Sequence, residues 1–567
     1  MTNENNSKLY NQISKIYIDL KEWSKTNPSI VKSFINEKKI FEDKQIKYNY
    51  CIGILTLKLL LYRYVSEYLT KYFNETESEA GNKDFEYVTL SDEVAQKYFA
   101  KEAYDTKGFF ILPSQLFENN IKRLKETKEE IVIHLGDIFK NTNELALSYE
   151  KMPLDIVIRD KNRFKLPIFE RLASLEIDIK DFSRASEFLI KLMYIDILNK
   201  ENYSNKNSLI LPELGKLLAK ITTFNNSNIG AIYDPNCGLG FSLAAFSQYP
   251  INEIIADTKT EENCVLNKIH LIMKDITPNK IQIRKNNPLA KPINLDKKFD
   301  AIVSKIPHSL KWDNHNYEYD ERFSKINVRI PKEFSDYAYI LHSFCQLSDT
   351  GKAALICYNG ALNRSGLEGN VRKYLLENNF VESVIQLPQG LFYKTEGDFS
   401  ILVLSKSKIR DDVLFIDAKR EFEIVERAKI LSDENVNNIM KFFTLQKNVE
   451  GILRYVKTSE IIENNYSFLV EKYILDKKLD KETMISNLNF SQNRIIISLI
   501  EKGLIKAYSK EQDIDKIKAL QLIYGTQGGK NRFNLYYKNK DLYIIKGKDC
   551  NADALEKMLT NYFVKNF

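Results

Sequence analysis

Continuously apolar runs between residues 229 and 407 constrain the fold of this chain more than any other feature of its sequence. They read IGAIYD, NEIIAD, FDAIVS, KAALICY, VESVIQLP and FSILVLSKS, and amphipathic stretches such as EGNVRKYLLENN separate several of them. Strands whose apolar character is continuous rather than alternating are covered on both faces, which is typical of parallel sheets flanked by helices. The sequence therefore predicts an α/β fold with a largely parallel central sheet.

The stretches on either side of these runs predict further domains. The chain has 567 residues, too many for a single core, and 44% of them are hydrophobic. Apolar residues at helical spacing predict an N-terminal helical domain over residues 1–165, followed by the α/β domain at 166–420 and a helical segment at 421–480. Residues 481–567 mix helical patterns with one hairpin candidate, FNLYYKNKDLYIIKG, and predict a basic α+β extension.

Composition and cysteine spacing exclude several classes of protein. The formal net charge of +7 permits a polyanionic partner without the charge density of a dedicated basic tail. The 6 cysteines contain no C-x-x-C pair, so neither a disulfide framework nor a metal site is indicated, and reduced thiols in a cytoplasm fit best. The most apolar helix candidate, YCIGILTLKLLLY, is short and contains Lys58, which predicts a buried helix rather than a membrane span.

A glycine turn follows the first apolar run and predicts a ligand site. In AIYDPNCGLGFSLAAF, a strand ends at Asp234, Gly238 and Gly240 form a tight turn, and an apolar helix follows. Glycines let the backbone approach a ligand closely, while the helix N-terminus offers unpaired N–H groups. Taken alone, the pattern also describes an ordinary strand-to-helix turn.

A second acidic strand end strengthens the prediction of an adenosine-bearing cofactor. In EIIAD, Asp257 stands where a carboxylate can accept both ribose hydroxyls in a doubly wound fold. Leu243 replaces the third glycine of a dinucleotide-binding motif, and no Gly-Lys-Ser/Thr phosphate loop occurs. The two motifs together therefore favour S-adenosylmethionine over NAD or ATP, with an ordinary exposed acid as the alternative for Asp257 alone.

The segment DPNCGLGF resembles the Asp-Pro-x-Cys-Gly-x-Gly signature of adenine-specific DNA methyltransferases, in particular the modification subunit of type I restriction-modification systems. The resemblance includes TKGFFILPSQLFENN, TEENCVLNKIHLIMKDI, the long segment from SLKW to SILVLSKSK, and VKTSEIIENNYSFLVEKYI, and it covers roughly residues 1–475. It implies a Rossmann-like methyltransferase domain that uses S-adenosylmethionine. The residues implied to bind this cofactor are Asp234, Pro235, Gly238, Gly240 and Asp257.

The same resemblance places FDAIVSKIPHSLKW at the catalytic position. In the family, Asn-Pro-Pro-aromatic follows this strand; the asparagine oxygen and a main-chain carbonyl accept from the adenine amine, and the ring stacks on the flipped-out base. Here Lys305, Ile306, Pro307 and His308 take those positions. A charged lysine offers three donors and no acceptor, so it opposes the positive charge that builds on the amine. His308 is either a stacking ring or an ordinary loop histidine.

Two further departures from the family concern the cofactor. Asn287 in KNNPL replaces the carboxylate that accepts from the cofactor's adenine, and LILP retains only Pro212 of a Phe-Tyr-Thr-Pro segment. Two functions stay open: an active N6-adenine methyltransferase subunit, or an inactive pseudo-methyltransferase that serves DNA binding or assembly. The missing phosphate motifs disfavour an NAD- or ATP-using enzyme.

The resemblance also implies partners. Type I modification subunits clamp double-stranded DNA together with a specificity subunit, so the predicted assembly is a hetero-oligomer, with a restriction subunit as an open question and no membrane contact. In the basic extension, the residues that either contact phosphates or form a solvated face are Lys530, Arg532, Lys538, Lys540, Lys546 and Lys548. Arg364, Glu368 and Arg372 lie in a matched segment that is also an amphipathic helix, and no chemical role is predicted for them.

Overall fold

The structure is a computed structural model whose chain divides into two compact units, Met1–Leu475 and Asp476–Phe567. In the first unit it describes residues 3–26, 44–126, 131–134, 138, 155–158, 171–198, 211–226, 229–308, 310–312, 320–324, 329–392, 397–425 and 428–474. In the second unit it describes residues 505–509, 521–526, 529–534 and 541–545. All residues predicted to bind cofactor or base lie in the first unit.

Helices dominate the N-terminal part of the first unit. They are α1 Asn3–Thr26, α2 Lys44–Glu79, α3 Asp92–Tyr98, α4 Ala100–Lys107, α5 Phe117–Glu126 and α6 Phe182–Leu198. The helix α2 contains the apolar segment around Lys58 and packs against α1 and α6, and Lys58 itself is 8% exposed, which confirms the predicted buried helix. Within the described residues, no helix combines the length and the apolar character that crossing a membrane requires. A short antiparallel pair, β1 Ile131–His134 with β2 Asp155–Ile158, adds strand pairing to this stretch.

A nine-stranded sheet forms the centre of the described part of the first unit. Its first eight strands are β3 Ala231–Asp234, β4 Glu253–Thr258, β5 Ile281–Lys285, β6 Phe299–Lys305, β7 Leu347–Tyr358, β8 Val381–Gln386, β9 Phe399–Ser405 and β10 Asp412–Asp417. A separate antiparallel pair, β11 Glu423–Val425 with β12 Ala428–Ile430, follows, and β13 Leu453–Lys457 returns to the sheet.

The strand order is β13-β10-β8-β9-β7-β6-β3-β4-β5. The run from β7 to β5 is parallel throughout, and β8 and β10 are also parallel. The strand β9 is antiparallel to both of its neighbours, and β13 is antiparallel to β10. The predicted largely parallel α/β fold is therefore confirmed.

Helices cover both faces of this sheet. They are α7 Pro212–Thr223, α8 Phe241–Ala244, α9 Glu261–Met273, α10 Glu321–Ser324, α11 Asp336–Cys345, α12 Leu367–Glu377, α13 Asp433–Thr444 and α14 Thr458–Glu463. Ile232 and Ile254 belong to an apolar cluster with α7, α9 and the N-terminal helices, whereas Tyr233 and Ile255 belong to a second cluster with α11 and α12. Because consecutive strand residues point to opposite faces, this double covering accounts for the continuous apolar runs.

Two sequence predictions are corrected by the structure. Residues 421–480 contain α13 and α14, but they also contain β11, β12 and β13, and the two charged residues of LRYVK suit the position of β13 at the sheet edge. The second correction concerns the hairpin predicted over FNLYYKNKDLYIIKG: its described residues, 533–534 and 541–545, pair with other strands, while residues 535–540, 546 and 547 lie outside the described residues.

The strands of the second unit are β14 Ile505–Ser509, β15 Gln521–Thr526, β16 Gly529–Asn534 and β17 Asp541–Ile545. The strand β16 pairs with β15, and β17 pairs with β14. The register of the first pair joins Thr526 to Gly529 across the sequence TQGGK, whose glycines are a turn signal. Lys530 and Arg532 lie in β16. The predicted helices of this unit and Lys538, Lys540, Lys546 and Lys548 lie outside the described residues.

Candidate active site

The predicted glycine turn joins β3 to α8 at the carboxyl edge of the sheet. Gly238 and Gly240 both adopt left-handed backbone angles, with φ of +54° and +76°. A Cβ atom on Gly240 would lie 1.9 Å from the side-chain oxygen of Asn267 on α9, whereas a Cβ on Gly238 would meet nothing within 4 Å. Gly240 is therefore required by packing, and the space beside Gly238 is open to a ligand.

We expect Gly240→Ala to lower the free energy of unfolding by about 2–3 kcal/mol, because the left-handed angle and the contact with Asn267 both oppose a side chain. Gly238→Ala is the matched variant and should cost only about 1 kcal/mol, since it carries the backbone penalty alone. Urea denaturation of the two variants measures the difference. Equal losses would contradict the packing role of Gly240.

Asp234 and Pro235, predicted to bind cofactor, are both buried at the start of this turn. One Asp234 oxygen accepts from the main-chain N–H of Asn236 at 2.9 Å, and the other accepts from the Ser242 hydroxyl at 2.7 Å. Burial raises the pKa of Asp234 to about 6. The carboxylate therefore stabilises the turn through the chain's own donors.

Asp257, at the end of β4, is completely buried and is surrounded by protein donors. Arg284 donates from Nε to Oδ1 at 2.9 Å and from Nη2 to Oδ2 at 2.8 Å. The Tyr233 hydroxyl donates to Oδ2 at 2.7 Å, and the Asn286 amide donates to Oδ1 at 3.1 Å. A carboxylate has about four lone-pair positions, so these four donors fill them.

A second layer of hydrogen bonds ties this carboxylate to the neighbouring helices. The Tyr233 hydroxyl lies 2.9 Å from Nε2 of His342 on α11, and Nδ1 of His342 lies 3.1 Å from a guanidinium nitrogen of Arg322 on α10. Burial holds the pKa of His342 well below its usual value, so the ring is neutral. Because Arg322 can only donate, Nδ1 accepts, and the proton lies on Nε2 and points to the tyrosine oxygen.

The segment that carries Asn287 is fastened by the same layer. Arg322 donates to the main-chain oxygens of Pro288 and Leu289 at 2.8 Å each. Asn287 itself is exposed, and its side-chain oxygen accepts from the main-chain N–H of Leu289 at 3.1 Å. The predicted adenine acceptor therefore lies in a local turn, while its neighbour Asn286 makes the contact with Asp257.

Lys305 ends β6 and is 5% exposed. Its ammonium nitrogen lies 5.1 Å from the ring centre of Phe392 and 4.9 Å from that of Phe399, two cation–π contacts. Among the described residues, none forms a hydrogen bond or an ion pair with this ammonium. Burial lowers the pKa of Lys305 to about 8, so at neutral pH the side chain is mostly charged and can only donate.

Pro307 and His308 continue from Lys305 at the same edge. Pro307 is buried, and the half-buried ring of His308 lies 5.6 Å from the ring of Tyr358 and 5.5 Å from that of Phe399. The Asn236 amide donates to the main-chain oxygen of Lys305 at 2.9 Å. This hydrogen bond places the glycine turn beside the KIPH motif.

Sequence reasoning missed the residues that surround the two key side chains: Tyr233, Arg284, Phe392 and Phe399. Arg284 lies directly opposite Asp257 in the register of β4 and β5. The strand sequence IQIRK has a basic residue near its end. Had β5 been predicted beside β4, this residue would have indicated a basic partner for Asp257. Pro212, the retained part of LILP, begins α7, where a proline suits the first helical turn.

A sequence model described as N-6 DNA Methylase matches residues 210–482 of this chain. The Type I restriction enzyme MpnII methylase subunit of Mycoplasma pneumoniae is 31% identical over 486 residues, spanning 77% of this chain and 88% of that relative. The chain belongs to the N-6 DNA methylase family. A second relative, the Type I restriction enzyme MjaVIII methylase subunit of Methanocaldococcus jannaschii, is 25% identical to this chain over 501 residues, which span 82% of each protein.

The fold of this chain has solved counterparts. The type I restriction-modification methyltransferase subunit from Streptococcus thermophilus superposes with a TM-score of 0.64 and 19% identity, and the match covers 83% of this chain and 99% of that structure. A modification subunit of a type I restriction enzyme from Vibrio vulnificus gives a TM-score of 0.52 at 14% identity, covering 80% and 93%. The resemblance inferred from DPNCGLGF is confirmed.

The family's methyl donor, S-adenosylmethionine, can be tested against these side chains. The open space beside Gly238 accommodates a close ligand. At the end of β4, however, Asp257 has no lone pair left for a ribose diol, and Asp234 is bound within its own turn. In this arrangement the described residues do not fit the cofactor.

Proposed function

We propose that this chain is a type I modification subunit that supports DNA binding and assembly without transferring methyl groups to adenine. The observation that carries the proposal is Lys305, a buried ammonium at the position where the family places the asparagine that accepts from the adenine amine. The cofactor-binding roles predicted for Asp234, Pro235, Gly238, Gly240, Asp257 and Asn287 remain part of the competing, active function.

The chemical argument concerns acceptors and charge. Methylation of an exocyclic amine needs acceptors for its two N–H groups, and positive charge builds on the nitrogen in the transition state. The Lys305 ammonium supplies three donors and a like charge, so it disfavours both requirements. The pKa of Lys305 is about 8, so the neutral amine is the minor form at any lower pH. Even the neutral amine accepts only one hydrogen bond.

Its partners follow from the family. We propose that the chain binds double-stranded DNA together with a specificity subunit in a hetero-oligomer.

The open glycine turn beside Gly238 is the observation that favours the second candidate function, an active N6-adenine methyltransferase using S-adenosylmethionine. Pro307 and His308 would then line the base pocket.

The test is a methyl-transfer assay with the full chain, a specificity partner, DNA and radiolabelled S-adenosylmethionine. We expect the wild-type assembly to bind DNA and to leave adenine unlabelled. Lys408→Met is the matched control, because burial also lowers the pKa of Lys408 to about 8, far along the chain from the KIPH motif. Labelling of adenine by the wild type would overturn the proposal, and loss of that labelling in Lys305→Met but not in Lys408→Met would show that Lys305 takes part in the reaction.

The basic extension is expected to add phosphate contacts. Deleting residues 481–567 should weaken DNA binding and reduce the slope of log K against log salt concentration by about 0.9 for each phosphate that the extension neutralises. Binding isotherms at several salt concentrations, with the specificity partner present, measure both quantities. Unchanged affinity and slope would show that Lys530, Arg532 and their neighbours form a solvated face.

A further inference from the structure

The donors around Asp257 have the geometry of a particular ligand. A ribose diol would present two neighbouring O–H groups to the two oxygens of this carboxylate. The guanidinium of Arg284 donates from Nε to Oδ1 at 2.9 Å and from Nη2 to Oδ2 at 2.8 Å, and Nη2 also lies 2.7 Å from Oδ1. This pairing is bidentate and charge-assisted, so it is stronger than the pairing of a carboxylate with neutral hydroxyls.

We infer that Arg284 is an internal substitute for the cofactor's ribose. It occupies the hydrogen-bonding positions of Asp257 that a ribose diol would need, so Asp257 is fully paired without S-adenosylmethionine. The inference concerns the binding of the methyl donor and does not depend on whether Lys305 permits methyl transfer.

The surroundings of the pair explain why Arg284 would not yield to a ligand. Asp257 is completely buried, and the side chain of Arg284 is 28% exposed. A neutral diol that displaced Arg284 would leave the carboxylate without its cation in a low-dielectric site, an outcome that buried ion pairs strongly resist. Tyr233 and Asn286 would continue to fill the remaining lone pairs.

The pair also holds the neighbouring segment. Asp257 binds Asn286, and Arg322 of the second layer binds the main-chain oxygens of Pro288 and Leu289. The segment from Asn286 to Leu289 is therefore fastened by side chains at both ends.

The experiment combines calorimetry with S-adenosylmethionine and thermal unfolding of the full chain. We expect no binding heat for the wild type at millimolar S-adenosylmethionine and no shift of its unfolding midpoint. Asp257→Asn and Arg284→Gln should each lower the midpoint by about 3–5 °C, and the double variant should lower it little further, because either change already breaks the pair.

The matched control is the exposed pair between Arg410 and Asp412, which has the same two-pronged geometry at 2.8 and 2.6 Å. Arg410→Gln and Asp412→Asn should each lower the midpoint by about 1 °C or less, because solvent screens exposed pairs. Arg284→Lys keeps the charge and loses the fork, and it provides a milder variant if Arg284→Gln fails to fold.

Two results would overturn the inference. Saturable binding of S-adenosylmethionine that Asp257→Asn abolishes would show that Asp257 is a cofactor ligand. If the unfolding midpoints of the Asp257 and Arg284 variants fall within the range of the control pair, the ion pair does not stabilise the fold around Asp257. Binding through Asp257 with unlabelled adenine would refute this inference and leave the proposed function standing, so the two failures are distinguishable.

Discussion

Replacing Arg372 with alanine is expected to lower the free energy of unfolding by about 3–5 kcal/mol, the range for breaking a buried charged network. Arg372, on α12, is completely buried, and its guanidinium donates to the main-chain oxygens of Tyr466 and Ala361 at 2.7 Å each and of Arg364 at 2.6 Å. Alanine would leave the carbonyls of Tyr466 and Arg364 without this donor and would open a cavity, while the carbonyl of Ala361 would keep only the Tyr337 hydroxyl at 3.0 Å. Urea denaturation of the full chain measures the loss.

Two variants sharpen this measurement. Lys373→Ala changes the next residue of the same helix, where the side chain is about half exposed and lies 3.9 Å from Glu377, so it should cost about 0.5 kcal/mol or less. Arg372→Lys keeps the charge but cannot reach three carbonyls, and its loss should be intermediate. If Arg372→Ala unfolds at the same urea concentration as Lys373→Ala, the network does not stabilise the fold.

Acid is expected to remove about 2–3 kcal/mol of stability through His270 between pH 7 and pH 4.5. His270, on α9, is completely buried, and burial lowers its pKa to about 4. The folded state therefore binds this proton less readily than the unfolded chain, whose histidine has a pKa of about 6.5. The stabilisation is complete above pH 6.5 and is lost as the pH falls towards 4.

The charged neighbours of this ring are Glu187 on α6, whose oxygen lies 4.0 Å from Nε2, and Lys274, which pairs with Glu187 at 2.7 Å. The Ser186 hydroxyl lies 3.1 Å from Nδ1. His270→Gln removes the titrating ring, so its urea-denaturation profile should lose about 2–3 kcal/mol less than the wild type over the same pH range. Parallel pH profiles for the two proteins would contradict the assignment.

The central sheet could be predicted because its strands are covered on both faces and therefore appear as unbroken apolar runs. IGAIYD, NEIIAD, FDAIVS, KAALICY, VESVIQLP and FSILVLSKS correspond to β3, β4, β6, β7, β8 and β9. The strands β5, β10 and β13 escaped prediction, since β5 and β13 lie at the sheet edges and carry polar residues that weaken the pattern. The antiparallel direction of β9 follows from tertiary pairing, which no local pattern encodes.

The candidate site shows the same division. The glycine turn is a local motif, so Gly238 and Gly240 could be assigned from sequence. The capture of Asp257 by Arg284 depends on the register between two strands, and the contacts of Lys305 with Phe392 and Phe399 join residues nearly a hundred positions apart. Substitutions at motif positions could be read from the sequence, whereas the side chains that fill the resulting space could not.

Under the proposed function, Lys305 also affects how readily this lineage could regain methyltransferase activity. Lysine and asparagine codons differ by a single nucleotide, so the family's asparagine is one mutational step away. A revertant at that codon would still carry Arg284 across Asp257, and removing Arg284 first would expose a buried carboxylate and destabilise the fold. Under the proposed function, the ion pair would therefore oppose a return to methyl transfer. A variant that loses Arg284 first has a less stable fold, so selection would remove it before any activity could return.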